Sequence, residues 1–150
     1  MSWKELLANR QVQPHKTSGK EIEDLRRLIA RDLADAGVTG VSADRRFATA
    51  YNAVLQISKM AIACAGYRVS SGLGHHQSTL EATTIAIPAS RPYADYFDTC
   101  RRKRNRIDYE HADVATDSEA EELLEKAHEF FRLIETWIGK THPDLKRRES

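Results

Sequence analysis

Apolar residues recur at intervals of three and four along most of this chain, and this spacing constrains the fold more than any other feature. Such spacing places apolar side chains on one face of an α-helix. Residues 19–36 show it clearly, between Ser18, which suits a helix N-cap, and Gly37, which suits a helix end. The chain has 7 glycines and 4 prolines, mostly between the periodic segments, whereas sheet proteins normally need more turn residues. The sequence therefore predicts an all-α fold.

The other periodic segments predict further helices with defined ends. Ser90 is placed to cap a helix in which Pro92 lies in the first turn, where proline is favoured. Asp117 or Ser118 is predicted to cap the last helix, and Gly139 to end it. The predicted helices cover residues 2–9, 19–36, 43–65, 75–87, 92–109 and 119–138.

Length and helix order together predict the domain organisation. The 150 residues correspond to one ordinary domain. We predict an antiparallel bundle of four to five helices over residues 19–140. Residues 1–18 are predicted as an N-terminal arm or short helix, and residues 141–150 as a charged tail.

Composition excludes several classes of protein. Hydrophobic residues make up 41% of the chain and the mean hydropathy is −0.58, with no apolar run near the roughly 20 residues of a spanning helix. The first residues include an acid and no apolar stretch, which does not fit a signal peptide. The two cysteines, Cys64 and Cys100, are far apart, which favours a reducing compartment over a disulfide or metal site. We expect a cytoplasmic protein without a membrane segment, metal or cofactor.

Charge is balanced overall but uneven along the chain. The formal net charge is +1, which excludes a general polycation that coats nucleic acid. Residues 91–106 nevertheless carry an excess of basic side chains, whereas residues 108–135 are strongly acidic. The basic segment therefore predicts a localised site for an anion such as phosphate.

Polar residues interrupt the apolar seam of the helix over residues 92–109. Positions spaced by 4, 3, 4, 3 and 4 hold Tyr93, Phe97, Cys100, Arg104, Ile107 and His111. Arg104 and His111 stand where apolar residues are expected, and seven helical steps leave them only about 20° apart. Arg101, Arg102, Lys103 and Arg106 surround Arg104 and add a field that attracts phosphate. Alternatively, Arg104 pairs with Asp108 one turn later and His111 is an ordinary loop residue.

The segment Arg104–His111 resembles the signature of the HEPN superfamily of small helical bundles. That signature is an Arg and a His separated by four to six residues, with a polar residue directly after the Arg. Here Asn105 fills the polar position, and six residues separate Arg104 from His111. The resemblance extends back to residues 47–53 and 65–68 and forward to 118–138. In the toxin-type members His follows Arg by five, and here Tyr109 occupies that position. Counting from Arg106 restores the spacing but places Arg106 and His111 about 140° apart on a helix, so we prefer Arg104.

The resemblance implies a homodimer in which two such helices meet across a two-fold axis and line one cleft. It implies metal-independent RNA cleavage, in which His111 transfers a proton, Arg104 stabilises the phosphate and Asn105 orients it. It also implies a nucleotidyltransferase antitoxin as partner. We assign RNA or phosphate contacts to the basic cluster because of its field. Tyr109 either makes such a contact in the cleft or caps the helix end. The alternative is a non-catalytic HEPN module that binds nucleotide or RNA, or acts as an adaptor.

Adjacent histidines at the start of the helix over residues 75–87 are a second feature of interest. On a helix His75 and His76 point about 100° apart, and no third ligand has suitable spacing, so we predict polar contacts at the helix start and no metal.

Overall fold

A computed structural model of the chain describes residues 2–72, 74–109 and 112–147. The helices in chain order are α1 (Trp3–Ala8), α2 (Gly19–Ala36), α3 (Ala43–Cys64), α4 (His75–Ala86), α5 (Arg91–Tyr109) and α6 (Asp117–Thr141). Two short 3₁₀ turns, Pro88–Ser90 and Pro143–Leu145, precede α5 and follow α6. The predicted all-α bundle is confirmed.

Helix α3 is the centre of the bundle and packs against α2, α4, α5 and α6. Small residues let the neighbouring helices approach it closely: Ala50, Ala53 and Ala61 are fully buried. The side of α5 that faces the core carries Phe97, whose ring lies 5.1 Å from that of Phe130 on α6. The predicted seam of α5 is thus buried at Phe97 and Cys100. It becomes half-buried at Arg104 and Ile107.

The ends of two helices differ from the prediction. Thr116, and not Asp117 or Ser118, caps α6: its hydroxyl accepts from the Glu119 amide (3.1 Å), and the Glu119 carboxylate accepts from the Thr116 amide (3.0 Å). Helix α6 continues through Gly139 to Thr141, because a glycine inside a helix costs only about 1 kcal/mol. Ser90, the predicted cap of α5, lies in the 3₁₀ turn directly before the helix, and its hydroxyl donates to the Ile87 carbonyl (2.7 Å).

A small antiparallel sheet, which the sequence did not predict, joins the N-terminal segment to the bundle. Strand β1 (Val12–Pro14) pairs with β2 (Tyr67–Val69), with Val12 opposite Val69. Leu6 and Val12 are buried with Ile62 of α3 and Ala82 of α4. Trp3 stacks on Tyr67 with ring centroids 4.2 Å apart. Residues 2–18 therefore pack on the bundle. Strands of three residues are too short to show a periodicity in the sequence.

No helix in the described part of the chain is long and apolar enough to cross a membrane.

Candidate functional site

A row of polar side chains runs along one face of α3. Its members follow one another at intervals of 4, 3, 4 and 3, which places them on one side of the helix. We call this row the α3 polar stripe; it consists of Arg45, Thr49, Asn52, Gln56 and Lys59. The row extends over roughly 21 Å at 1.5 Å per residue.

Two open grooves border the α3 polar stripe and share Thr49 and Asn52. The groove toward α2 is lined by Arg31, Asp32 and Asp35 on that helix. The groove toward α5 has a volume of about 540 Å³ and includes Arg45, Arg104 and Ile107. The stripe thus forms the polar floor between two helices, which suits an elongated polar ligand better than a small apolar one.

Arg104 enters the groove from the C-terminal half of α5. Its side chain is half-buried, and Nη2 lies 3.4 Å from Oδ1 of Asn52, a long hydrogen bond that the guanidinium donates. Asp44 supports the neighbouring wall, because its Oδ1 accepts from the Ala115 amide at 2.7 Å and ties the segment after α5 to the start of α3. The sequence singled out Arg104 but not Asn52.

The other basic residues of α5 point in different directions. Arg102 and Arg106 stand about 160° from Arg104 around the helix, and both are exposed. Arg101 stands about 60° away, is 22% exposed, and donates from Nε to Asp98 Oδ1 at 2.9 Å. Lys103 points toward α6, where Nζ lies 2.6 Å from Glu119 Oε2. Of these four, only Arg101 shares the side of α5 that carries Arg104.

The remaining residues of the predicted site lie toward the end of α5. Asn105 is half-buried and stands about 100° from Arg104. Tyr109 is the last residue of α5. His111 lies outside the described residues, so its pairing with Arg104 stays a prediction.

A histidine and a tyrosine that the sequence did not assign to the site lie side by side within the electrostatic field of the arginines of α5. His76 is in the first turn of α4, and its ring lies 5.9 Å from the ring of Tyr51, which is fully buried in α3. Burial, together with the charges of His75, Arg104, Arg101 and Lys59, lowers the pKa of His76 to about 4. Burial raises the pKa of Tyr51, although Arg101 and Arg104 oppose that effect. Both side chains are therefore neutral at pH 7 and lie in a positive field.

The family model described as SAV_6107-like HEPN matches residues 38–135. The chain belongs to the HEPN superfamily. No curated protein and no solved structure matches it. The match spans α3, α4, α5 and most of α6, so the α3 polar stripe, His76 and Arg104 all belong to the HEPN domain proper.

The described part of this HEPN domain holds no group of three His, Cys, Asp or Glu side chains that could bind a metal ion. His75 Nδ1 lies 3.0 Å from the Gly72 carbonyl, the kind of polar contact that the sequence predicts at this helix start. Cys64 and Cys100 are separate, buried thiols. Burial raises the pKa of each to about 11.

The ion pair between Lys103 and Glu119 predicts a measurable titration. The hydrogen bond from Lys103, and then that from the Thr116 amide, lower the pKa of Glu119. We expect Lys103→Met to raise this pKa toward its ordinary value. Because the folded-state pKa is depressed, the stabilisation is present above the unfolded-state pKa and is lost as the pH falls through the folded-state pKa. Because the pair is exposed, this stabilisation amounts to about 0.5 kcal/mol or less.

NMR titration of the Glu119 carboxyl, with urea unfolding at neutral and acidic pH, measures both effects. Lys126→Met is the matched control, because Lys126 pairs with Glu129 and not with Glu119. An unchanged Glu119 pKa in Lys103→Met contradicts the assignment.

Proposed function

We propose that this HEPN domain is a metal-independent RNA endonuclease that binds its substrate along the α3 polar stripe. The observation that carries this proposal is the position of Arg104. An arginine replaces an apolar residue on the inner seam of α5, lies against Asn52, and enters a groove with a polar floor. A guanidinium in such a place is suited to bind a phosphate with two parallel hydrogen bonds.

The reaction follows from the chemistry of RNA and needs no metal. The 2′-oxygen attacks the adjacent phosphorus, the P–O5′ bond breaks, and the products are a 2′,3′-cyclic phosphate and a 5′-hydroxyl. A base takes the proton of the 2′-hydroxyl and an acid gives a proton to the leaving O5′. We assign proton transfer to His111, stabilisation of the phosphorane charge to Arg104, and orientation of the phosphate to Asn105. DNA, which lacks the 2′-hydroxyl, is not cleaved by this route.

The assembly is part of the proposal. The resemblance of residues 104–111 to the HEPN signature supports a homodimer in which both copies of α5 line one cleft. It also supports a cytoplasmic toxin whose partner is a nucleotidyltransferase antitoxin. Arg106 and Arg102, the latter in a long, exposed ion pair with Asp98 (3.7 Å), lie on the outer side of α5, where they suit the backbone of a longer RNA.

The same exposed cations favour a second candidate, an RNA- or nucleotide-binding module without catalysis. It shares the groove and Arg104 with the first candidate but requires no proton transfer. The two candidates therefore differ in turnover and not in affinity.

A single assay separates them. End-labelled single-stranded RNA is incubated with the purified protein in excess chelator, and wild type is compared with His111→Ala. We expect cleavage by wild type with 2′,3′-cyclic phosphate ends, and loss of cleavage in the variant. His128→Ala, which removes an exposed histidine of α6, serves as the control. Binding without cleavage supports the module, and absence of both contradicts the proposal.

A further inference from the structure

We propose that His76 and Tyr51 form, together with Arg104, a phosphate-binding subsite within a single protomer. The ligand is a phosphodiester group of the RNA chain. This inference rests on the proposed function, because it adds a substrate contact outside the HEPN signature. It does not require that the bound RNA be cleaved.

The first observation is the start of α4. Gly74, which precedes the helix, adopts a left-handed conformation (φ 78°) and offers no side chain to cap the first amides. The first turn has no acidic residue and carries His75 and His76. Free amide hydrogens and the helix dipole make such a terminus favourable for an anion. The His75 ring contacts the Gly72 carbonyl, whereas the His76 ring lies toward Tyr51.

The second observation is independent of the helix end. Tyr51 is 0% exposed, and its hydroxyl has no hydrogen-bond partner among residues 2–72, 74–109 and 112–147. A buried hydroxyl without a partner is costly, and proteins rarely keep one without a reason. The Tyr51 ring lies against His76 of α4, and the charges of Arg101 and Arg104 of α5 act on its phenol. The hydroxyl is therefore a buried donor without a protein acceptor in the described part of the chain, on a ring that lies beside His76, and an anion held by His76 and Arg104 would accept its hydrogen bond.

The third observation is the charge around His76. The groups that act on it are His75 on its own helix, Lys59 and Tyr51 on α3, and Arg101 and Arg104 on α5. The carboxylate of Asp98 is nearby but already pairs with Arg101. Burial, and after it the charges of these cations, keep His76 neutral in the free protein, so one ring nitrogen remains available as a hydrogen-bond donor at pH 7. A bound phosphate would add negative charge and raise the pKa of His76.

Titration of the wild-type protein tests the subsite without any cleavage assay. The His76 ring signals, assigned by comparison with His76→Gln, are followed by NMR from acidic to neutral pH. The titration is carried out in inorganic phosphate and in chloride at equal ionic strength. We expect a His76 pKa of about 4 in chloride and a rise of about one unit or more in phosphate. The signals of exposed His128 report any general salt effect. An equal His76 pKa in both salts overturns the subsite.

Two variants extend the test to RNA. The ligand is a 2′-O-methyl oligonucleotide, which cannot be cleaved because its 2′-oxygen is blocked. Each lost hydrogen bond to a phosphate is expected to weaken binding by about 5- to 10-fold, so Tyr51→Phe and His76→Gln both raise Kd by that factor. Tyr67→Phe and His128→Gln are the matched controls and leave Kd unchanged. Tyr51→Phe keeps the ring and removes a hydroxyl without a protein partner, so we expect the Tm of this variant to be no lower than that of wild type. Unchanged Kd values, or a lower Tm that accounts for weaker binding, contradict the proposal.

The outcomes separate this inference from the proposed function. If wild type cleaves RNA while phosphate leaves His76 unaffected, the subsite is wrong and the ribonuclease stands. If His76 responds to phosphate and both variants bind RNA weakly, but wild type does not cleave, the subsite stands and the nuclease is wrong.

Discussion

Replacing Arg104 with alanine is expected to lower the rate of RNA cleavage by roughly 10²- to 10³-fold. The structure places this guanidinium in the groove beside Asn52, and a phosphorane carries more negative charge than the ground-state diester. The loss should therefore fall mainly on kcat, with a smaller rise in KM. Single-turnover cleavage of labelled RNA in chelator measures kcat directly. Arg27→Ala is the matched control, because Arg27 is an exposed arginine on α2 that pairs with Asp24.

Two further variants sharpen the Arg104 experiment. Arg104→Lys keeps the charge but loses the planar pair of donors, so it should recover only part of the activity. Asn52→Ala removes the carboxamide that holds Arg104 and should raise KM more than it lowers kcat. If Arg104→Ala cleaves RNA at the wild-type rate, the groove is not the reaction site.

Removal of either partner of the Arg26–Glu135 ion pair is expected to destabilise the fold by about 3–5 kcal/mol. Arg26 is only 7% exposed, and two parallel hydrogen bonds of 2.8 Å join its Nε and Nη2 to the Glu135 carboxylate. Nη2 also donates to the Leu145 carbonyl at 2.8 Å, which holds the 3₁₀ turn after α6 against α2. Burial opposes the charged form, but Glu135 and Glu23 outweigh it and raise the pKa of Arg26. The pair stays ionised when buried.

Urea unfolding of Arg26→Ala and Glu135→Ala measures this cost, because each variant leaves one charge without its partner. The double variant Arg26→Met, Glu135→Leu removes both charges and should be much less destabilised than either single variant. Arg27→Ala breaks an exposed pair and should change stability by about 1 kcal/mol or less. A loss in Arg26→Ala no larger than in Arg27→Ala would contradict the assignment.

The apolar pattern predicted most of the fold because the bundle is held together by the residues that create the pattern. Helix α2 has the predicted bounds, and α3 begins at the predicted residue and buries Phe47, Tyr51 and Val54. The apolar pattern could not predict that Arg26 and Arg46 are buried, since a buried arginine and an exposed one look alike in a sequence. The burial of Arg46 is compensated by a hydrogen bond from its Nε to the Ala36 carbonyl (3.1 Å), a contact that exists only in the tertiary structure.

The candidate site could be predicted in part, because one of its members interrupts an apolar seam. Arg104 stood out for that reason, whereas Asn52 lies on a side of α3 that reads as a solvent-facing helix surface. The signal for the α3 polar stripe was nevertheless present, as a regular polar spacing parallel to the apolar one. His76 lacked even that signal, because its relation to Tyr51 and Arg104 depends on how α4 packs between α3 and α5.

The pairing of β1 with β2 means that the limits of the family match are not the limits of the folding unit. Residues 38–135 contain β2 but not β1, and they omit α1 and α2 and the last residues of α6. A fragment expressed with those limits would leave β2 as an open sheet edge and would uncover Ile62 and Ala82, which Leu6 and Val12 cover in the whole chain. Such an edge beside an apolar patch promotes aggregation. Truncation and fusion experiments on this domain should therefore begin before Trp3.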